Sequence, residues 1–120
     1  MSAYSFKPRF VPLIRSGQKR QTIRGVRKDG RVPKVGESLH LYTGLRTKSC
    51  QRIFAEPVWC TSVQLVEIDA SGIVSINGVP LDQNEREQLA INDGFRSWED
   101  MLSFWDGRLP FKGNIIHWEI

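Results

Sequence analysis

Apolar and polar positions alternate with a period of two along several short stretches of this chain and recur at helical spacing in three others. Leu39, Leu41 and Thr43 alternate with Ser38, His40 and Tyr42, as in a half-buried strand, and Val35-Gly36-Glu37 supplies the turn into it. A second strand is predicted over roughly 59–68. Its apolar phase changes between Leu65 and Val66, which predicts burial on both faces or a bulge at that point. Ile73-Val74-Ser75-Ile76 runs into Asn77-Gly78, a strong hairpin signal. The C-terminal run sets Ile116, Trp118 and Ile120 against Ile115, His117 and Glu119, again at strand period. Tyr4-Ser5-Phe6 predicts a short strand, and 18–24, with one central apolar residue, predicts a short edge strand or an extended loop on the surface.

The helical stretches carry their own punctuation. Phe10, Val11, Leu13 and Ile14 make the apolar side of a short helix that Pro8 or Pro12 starts and Gly17 ends. Asp82 with Glu85 three residues later is a capping-box arrangement, opening a helix to about residue 91 that Asn92-Asp93-Gly94 stops. Ser97 caps the next one, where Trp98, Met101, Leu102 and Trp105 form one apolar stripe facing a core; Gly107 and Pro110 end it. Strands at this spacing with helices between them predict an α+β, mainly β fold resembling a small barrel.

With 120 residues, 40% hydrophobic and 25% charged, the chain is read as a single domain spanning 1–120. It has no apolar run of about 18 residues for a membrane span, and its opening, MSAYSFKPRF, lacks the order of a secretion signal. The expected setting is cytoplasmic, away from membranes. Cys50 and Cys60 are then expected as thiols, and with His40 and His117 they are too scattered for a zinc site. No metal and no cofactor are expected.

The net charge of +4 conceals an asymmetry that changes the picture. Residues 1–52 carry a balance of +11 and residues 53–120 a balance of −7. The first half is a candidate surface for a polyanion, or alternatively a basic face kept for solubility. Residues 25–34, with two glycines, one proline and four basic side chains, predict a mobile basic loop whose tip is poorly ordered without a ligand. An adaptor that meets protein partners through the acidic half has no motif behind it.

The densest concentration of chemistry is Gly17-x-Lys19-x-x-Thr22-x-Arg24. On an extended segment Thr22 and Arg24 share a face, and Lys19 joins them only across a bend or bulge. An ammonium, a hydroxyl and a guanidinium converging on one spot can hold a phosphate or carboxylate, or activate the hydroxyl as a nucleophile. The alternative is an ordinary basic edge strand. Asp93 has two readings of its own, an acid in a site and a residue suited to a helix-ending corner. His117 either titrates near neutrality or is structural. Tyr42 and Trp59 are candidates for stacking on a base, as are the other aromatic residues.

These residues resemble the ASCH domain, a small barrel of the PUA-like superfamily, through its Gly-x-Lys-x-x-Thr-x-Arg motif at Gly17, Lys19, Thr22 and Arg24. The approach Phe6-Lys7-x-x-Phe10 with Ile14, the Val35-Gly36-Glu37 turn, and the Asp93-Gly94-Phe95 corner followed by the helix over 97–105 are similar to ASCH features in ASCH order. The resemblance implies a PUA-like β-barrel with peripheral helices and a basic cleft that binds RNA or a modified nucleoside, with Arg24, Arg20 and Lys7 holding the ligand. One ASCH group consists of amidohydrolases that deacetylate N(4)-acetylcytidine through a lysine, a threonine and a glutamate. Lys19 and Thr22 match the first two; Asp93, one methylene shorter, stands where the glutamate is expected. Other ASCH proteins are ribonucleases.

The resemblance therefore implies binding of RNA or a nucleoside or, alternatively, a hydrolase with Lys19, Thr22 and Asp93 as its catalytic residues. In that hydrolase Thr22 attacks the amide carbonyl and a neutral Lys19 takes its proton. Asp93 shuttles protons or activates water, and Arg24 holds the substrate or the oxyanion. Lys19 then needs a depressed pKa, for which like-charge repulsion from Arg20 and Arg24 is the expected cause, with partial burial adding to it.

Overall fold

Tyr4 and Phe6 alternate with half-buried neighbours along a short N-terminal strand, and Leu39 and Leu41 do the same on the strand beside it, so the core begins where these two lie side by side. The computed structural model describes residues 2–26 and 30–119. Its elements are β1 (Ser2–Phe6), a 3-10 turn (Pro8–Phe10), α1 (Val11–Arg15), β2 (Gln21–Gly25), β3 (Ser38–Thr43), β4 (Gln51–Arg52) and β5 (Val58–Ile68). There follow β6 (Val74–Ile76), β7 (Val79–Pro80), α2 (Gln83–Asn92), α3 (Trp98–Phe104) and β8 (Phe111–Glu119). The chain is α+β and mostly β. Among the described residues no helix is long and apolar enough to cross a membrane.

The long strand β5 organises the sheet. β8 runs antiparallel along its full length, while β3 pairs with its start and β6 with its end. β2 adds outside β8, and β1 adds parallel to β3. The ladder therefore runs β2-β8-β5-β3-β1 and stops at two edges, since no backbone ladder joins β1 to β2 among the described residues. Tyr4, Phe6, Leu39, Leu41, Val58, Cys60, Val66, Ile68, Ile115 and Trp118 fill the core, with Phe6 edge-on to Trp118 at 6.0 Å. Burial of this apolar area is the main force holding the strands together.

Local signals explain most element ends. The capping box is complete: Asp82 accepts from the Glu85 N–H, and Glu85 accepts from the Asp82 N–H. Ser97 accepts from the Asp100 N–H at the start of α3. Asn77 and Gly78 both take positive φ, the two-residue turn that joins β6 to β7 with the twist of a hairpin.

Four expectations need correction. The irregularity in β5 lies between Cys60 and Ser62 rather than at Leu65 and Val66, because it is there that the register against β8 shifts; residues 62–65 are half-buried without alternation. In the α3 stripe only Met101 and Trp105 are buried, while Trp98 and Leu102 are half-exposed, because the helix is seven residues long and packs chiefly beside α2. The segment carrying the motif is an edge strand but not a surface one: Lys19, Gln21, Thr22 and Ile23 are all buried. Tyr42 and Trp59 do not line the cavity described below. Of the basic loop, Arg27, Lys28 and Asp29 lie outside the described residues, as does Ile120 in the C-terminal strand.

Candidate functional site

Helix α1 ends in a tight reversal that decides where Lys19 goes. Gly17 takes φ +83°, which a residue with a Cβ rarely adopts, and the chain doubles back so that the Lys19 N–H donates to the Leu13 carbonyl at 3.0 Å. The reversal turns Lys19 inward and leaves Arg20 outside, its Nε donating to the Gly17 carbonyl at 2.9 Å. β2 then begins, and Thr22 and Arg24 follow on it. The bend that the motif requires thus lies before the strand, and Lys19, Thr22 and Arg24 line one cavity; Arg20 does not reach it.

The second half of the chain supplies the partner. Helix α2 stops at Asp93, and Gly94 takes φ +96°. A Cβ on Gly94 would sit 2.9 Å from Phe10 Cδ1 and 3.0 Å from Lys19 Cδ, so only glycine lets the Lys19 stem lie against this corner. Lys19 Nζ donates to the Asp93 carbonyl at 2.5 Å, satisfying an orphan acceptor at the end of α2, and lies 3.4 Å from Asp93 Oδ1. Gln21 Nε2 donates to the same Oδ1 at 3.4 Å. Asp93 is therefore both the corner residue and an acid facing the motif.

Burial dominates the electrostatics of the pair. The Lys19 ammonium is 2% exposed, with the rings of Phe10 and Phe6 at 5.0 and 5.7 Å. Loss of water pushes its pKa down; Asp93 pulls it back up, and the charge of Arg24 adds a smaller push down. Loss of water pushes the Asp93 carboxyl up, against Lys19 and the Gln21 hydrogen bond. The two groups are close enough for an ion pair, yet on each side burial outweighs the attraction. The expected order of causes at Lys19 is thus reversed: burial leads, Arg24 contributes less, and the exposed Arg20 is not among the causes.

Arg24 bridges the two open edges of the sheet. Its guanidinium donates to the Ser5 carbonyl of β1 at 2.8 Å and to Thr22 Oγ at 3.2 Å, and it lies over the rings of Phe6 at 4.9 Å and Tyr4 at 5.3 Å. The Thr22 hydroxyl thereby accepts from Arg24 and keeps its own proton to donate.

Together these groups line a cavity of about 370 Å³ between β1, β2, the Asp93 corner and α3. Its apolar walls are Phe6, Phe10, Phe95, Phe104, Trp105 and Phe111. Lys7 and Arg108 stand exposed at its rim, both over the Phe104 ring, at 5.0 and 4.8 Å. Gln21, Phe104 and Arg108 were not legible as site residues. The one available hint was that Arg108 is among four basic residues in an acidic half.

The other candidates lie elsewhere. Trp59 is 53% exposed on β5, and Tyr42 lies beneath the Arg52 guanidinium at 6.0 Å. His117 is tied to Gln64 at 2.7 Å, and burial pushes its pKa down. Among the described residues no three His, Cys, Asp or Glu side chains come together as metal ligands. Compared with protein-family models, with characterised proteins and with solved structures, the chain gives no match.

Proposed function

We propose that this chain is an ASCH-type domain of the PUA-like superfamily that takes a single nucleobase, free or carried on RNA, into the cavity beside Lys19, Thr22 and Arg24. Its sheet is then read as a PUA-like barrel whose seam is the β1–β2 opening bridged by Arg24. The observation that carries the reading is the lining of that cavity: flat aromatic walls surround a few convergent polar groups, the combination that suits a stacked heterocycle with hydrogen-bonding edges. Inside, Lys19 is matched by Asp93 and Arg24 is tied to the Ser5 carbonyl, while a base edge finds the Thr22 hydroxyl.

A second reading, deacylation of N(4)-acetylcytidine or a similar acyl amide, is favoured by the burial of Lys19, which supports the neutral amine a general base needs. In it the Thr22 oxygen bonds to the acyl carbon as its proton passes to Lys19. The C–N bond then breaks, with that proton going to the leaving nitrogen. Water finally hydrolyses the Thr22 ester to free acid, with Asp93 accepting and returning the water proton.

Titration with a panel of nucleosides, with mass detection of products, tests both readings. Binding of at least one nucleoside is expected, weakened severalfold by Phe104→Ala. Thr22→Val is expected to weaken it by about one hydrogen bond, 0.5–1.5 kcal/mol, and to abolish any turnover while binding persists. Absence of binding by every nucleoside would overturn the proposal, and absence of turnover alone would remove the second reading.

A further inference from the structure

The wall Ser5-Phe6-Lys7 at the end of β1 has a hollow on each side. One is the cavity described above. The other, about 650 Å³, is lined by this wall, by Pro8, Val11 and Arg15 around α1, and by Thr43, Gly44, Ser49, Gln51, Arg52 and Ile53 around β3 and β4. The two are alike in net charge but not in what holds it. In the first, the inner cations are already engaged, Lys19 with Asp93 and Arg24 with the Ser5 carbonyl and Thr22, whereas the second carries Lys7, Arg15 and Arg52 and no acidic side chain in its described lining. The loop 44–50 that forms one side adds Arg46 and Lys48, both exposed.

Arg15 and Arg52 are also held in place. Arg15 Nε donates to the Ile53 carbonyl at 3.2 Å. One Arg52 terminal nitrogen donates to the Ala55 carbonyl at 3.3 Å, with the rest of its guanidinium over Tyr42. Each bond uses one of five N–H donors, so both arginines are anchored with donors left for an anion.

We infer that this second groove is a subsite for phosphate ester groups attached to the nucleoside bound next door, with Arg15 and Arg52 as its contacts and Lys7 on the shared wall. The inference rests on the nucleoside reading above and extends it: a base in the aromatic cavity leaves its ribose at the rim, and the groove continues from that rim. The charge of the N-terminal half is thus given a place, nearer α1 and β4 than the loop 25–34 that composition pointed to. The phosphate can belong to a free nucleotide or to a single strand; the chemistry of recognition is shared.

Four probes separate the possibilities: cytidine, cytidine 5′-monophosphate, a short oligocytidylate, and a ribose-phosphate strand without bases. Binding of each is measured over a range of salt for the parent, for the double variant Arg15→Gln/Arg52→Gln and for Arg15→Lys/Arg52→Lys. The baseless strand is expected to bind the parent and to lose roughly tenfold in the glutamine variant. Its salt slope is expected to become less negative by about 1.4, two contacts at about 0.7 each, with the lysine variant keeping most of the affinity. Cytidine affinity is expected not to change in either variant. A gain on adding one phosphate that does not grow with strand length identifies a nucleotide, and a gain that grows identifies a polymer; both support the subsite.

Because Arg15 also bonds Ile53, folding of each variant is checked by circular dichroism. If Arg15→Gln does not fold, Arg52→Gln alone is expected to lose about threefold. Equal binding of the baseless strand to parent and glutamine variant, or no binding to the parent, would overturn the subsite. Failure of cytidine to bind while the baseless strand behaves as expected would instead overturn the nucleoside reading.

Discussion

Two acid–base pairs join the N-terminal region to the helical second half, and the same phenylalanine stands beside both. Arg9 and Asp100 meet at 3.1 Å on the outside, with side chains 46% and 30% exposed; Lys19 and Asp93 lie 3.4 Å apart inside, 2% and 8% exposed. The Phe10 ring is 5.0 Å from each cation. The outer pair is the closer one, and it stays in contact with water. The Asp100 carboxyl is held below its ordinary value, chiefly by the Arg96 N–H and then by Arg9. The inner Asp93 is pushed the other way by burial. Access to water, more than separation, decides what each pair does. Outside, the pair adds a weak tether. Inside, it is a costly arrangement, because two charges are taken out of water to form it, and a role toward a ligand is the better account of the Asp93 carboxyl.

The strongest way to break the comparison is to remove one member of each pair. Lys19→Met is expected to cost about 3–5 kcal/mol in chemical denaturation, because it leaves a buried carboxyl and an unmet carbonyl at the end of α2. Lys19→Met/Asp93→Leu should recover part of that loss. A cost near zero for Lys19→Met would show that the inner pair is no more demanding than the outer one. Next in size is Gly94→Ala, expected to cost about 1–3 kcal/mol, since a methyl at positive φ would press on Phe10 and the Lys19 stem.

The pH dependence of stability sharpens the contrast in sign. Asp93 binds its proton more tightly folded than unfolded, so its contribution falls as pH rises from about 3.8 through its raised native pKa. Asp100 does the reverse: its contribution is present above 3.8 and lost as pH falls through its lowered native pKa. Lys19, lowered from 10.5, adds a rise in stability between its native pKa and 10.5. Denaturation midpoints against pH should therefore show that Asp93→Asn flattens the fall above 3.8 and Asp100→Asn the fall below it. Matching profiles for the two variants would contradict the assignment. The smallest effect is expected for Arg9→Gln, about 0–1 kcal/mol at neutral pH and less at high salt.

The parts of this molecule that announce themselves in one dimension were legible there. The capping box at Asp82 and Glu85, the Asn77-Gly78 turn and the alternation through Leu39 and Leu41 are local, and the structure builds each as read. Lys19, Thr22, Arg24 and Asp93 were legible as candidates through residue type and spacing, but not their burial. A lysine two residues past a glycine reads as surface, and only the reversal at Gly17 and the corner at Gly94, 77 residues apart, turn it inward. Arg20 shows the opposite failure, since a basic neighbour in the motif ends up on the outside of the same reversal. The cavity walls were hidden because they come from distant segments: Phe6, Phe104 and Phe111 meet only when β1, α3 and β8 pack. The bulge near Cys60 was misplaced because the polar pair Thr61-Ser62 interrupts the apolar pattern there, whereas Leu65 and Val66 stand side by side and draw the eye to the later position.

The most direct test of the central claim is a pH titration of the Lys19 Nζ resonance by NMR in protein carrying 15N-labelled lysine, with and without a nucleoside that binds. The account predicts that Lys19 titrates below the ordinary 10.5, apart from the other lysines, and that its resonance moves when the cavity fills. A Lys19 that titrates with the surface lysines, and whose resonance no nucleoside displaces, would contradict it.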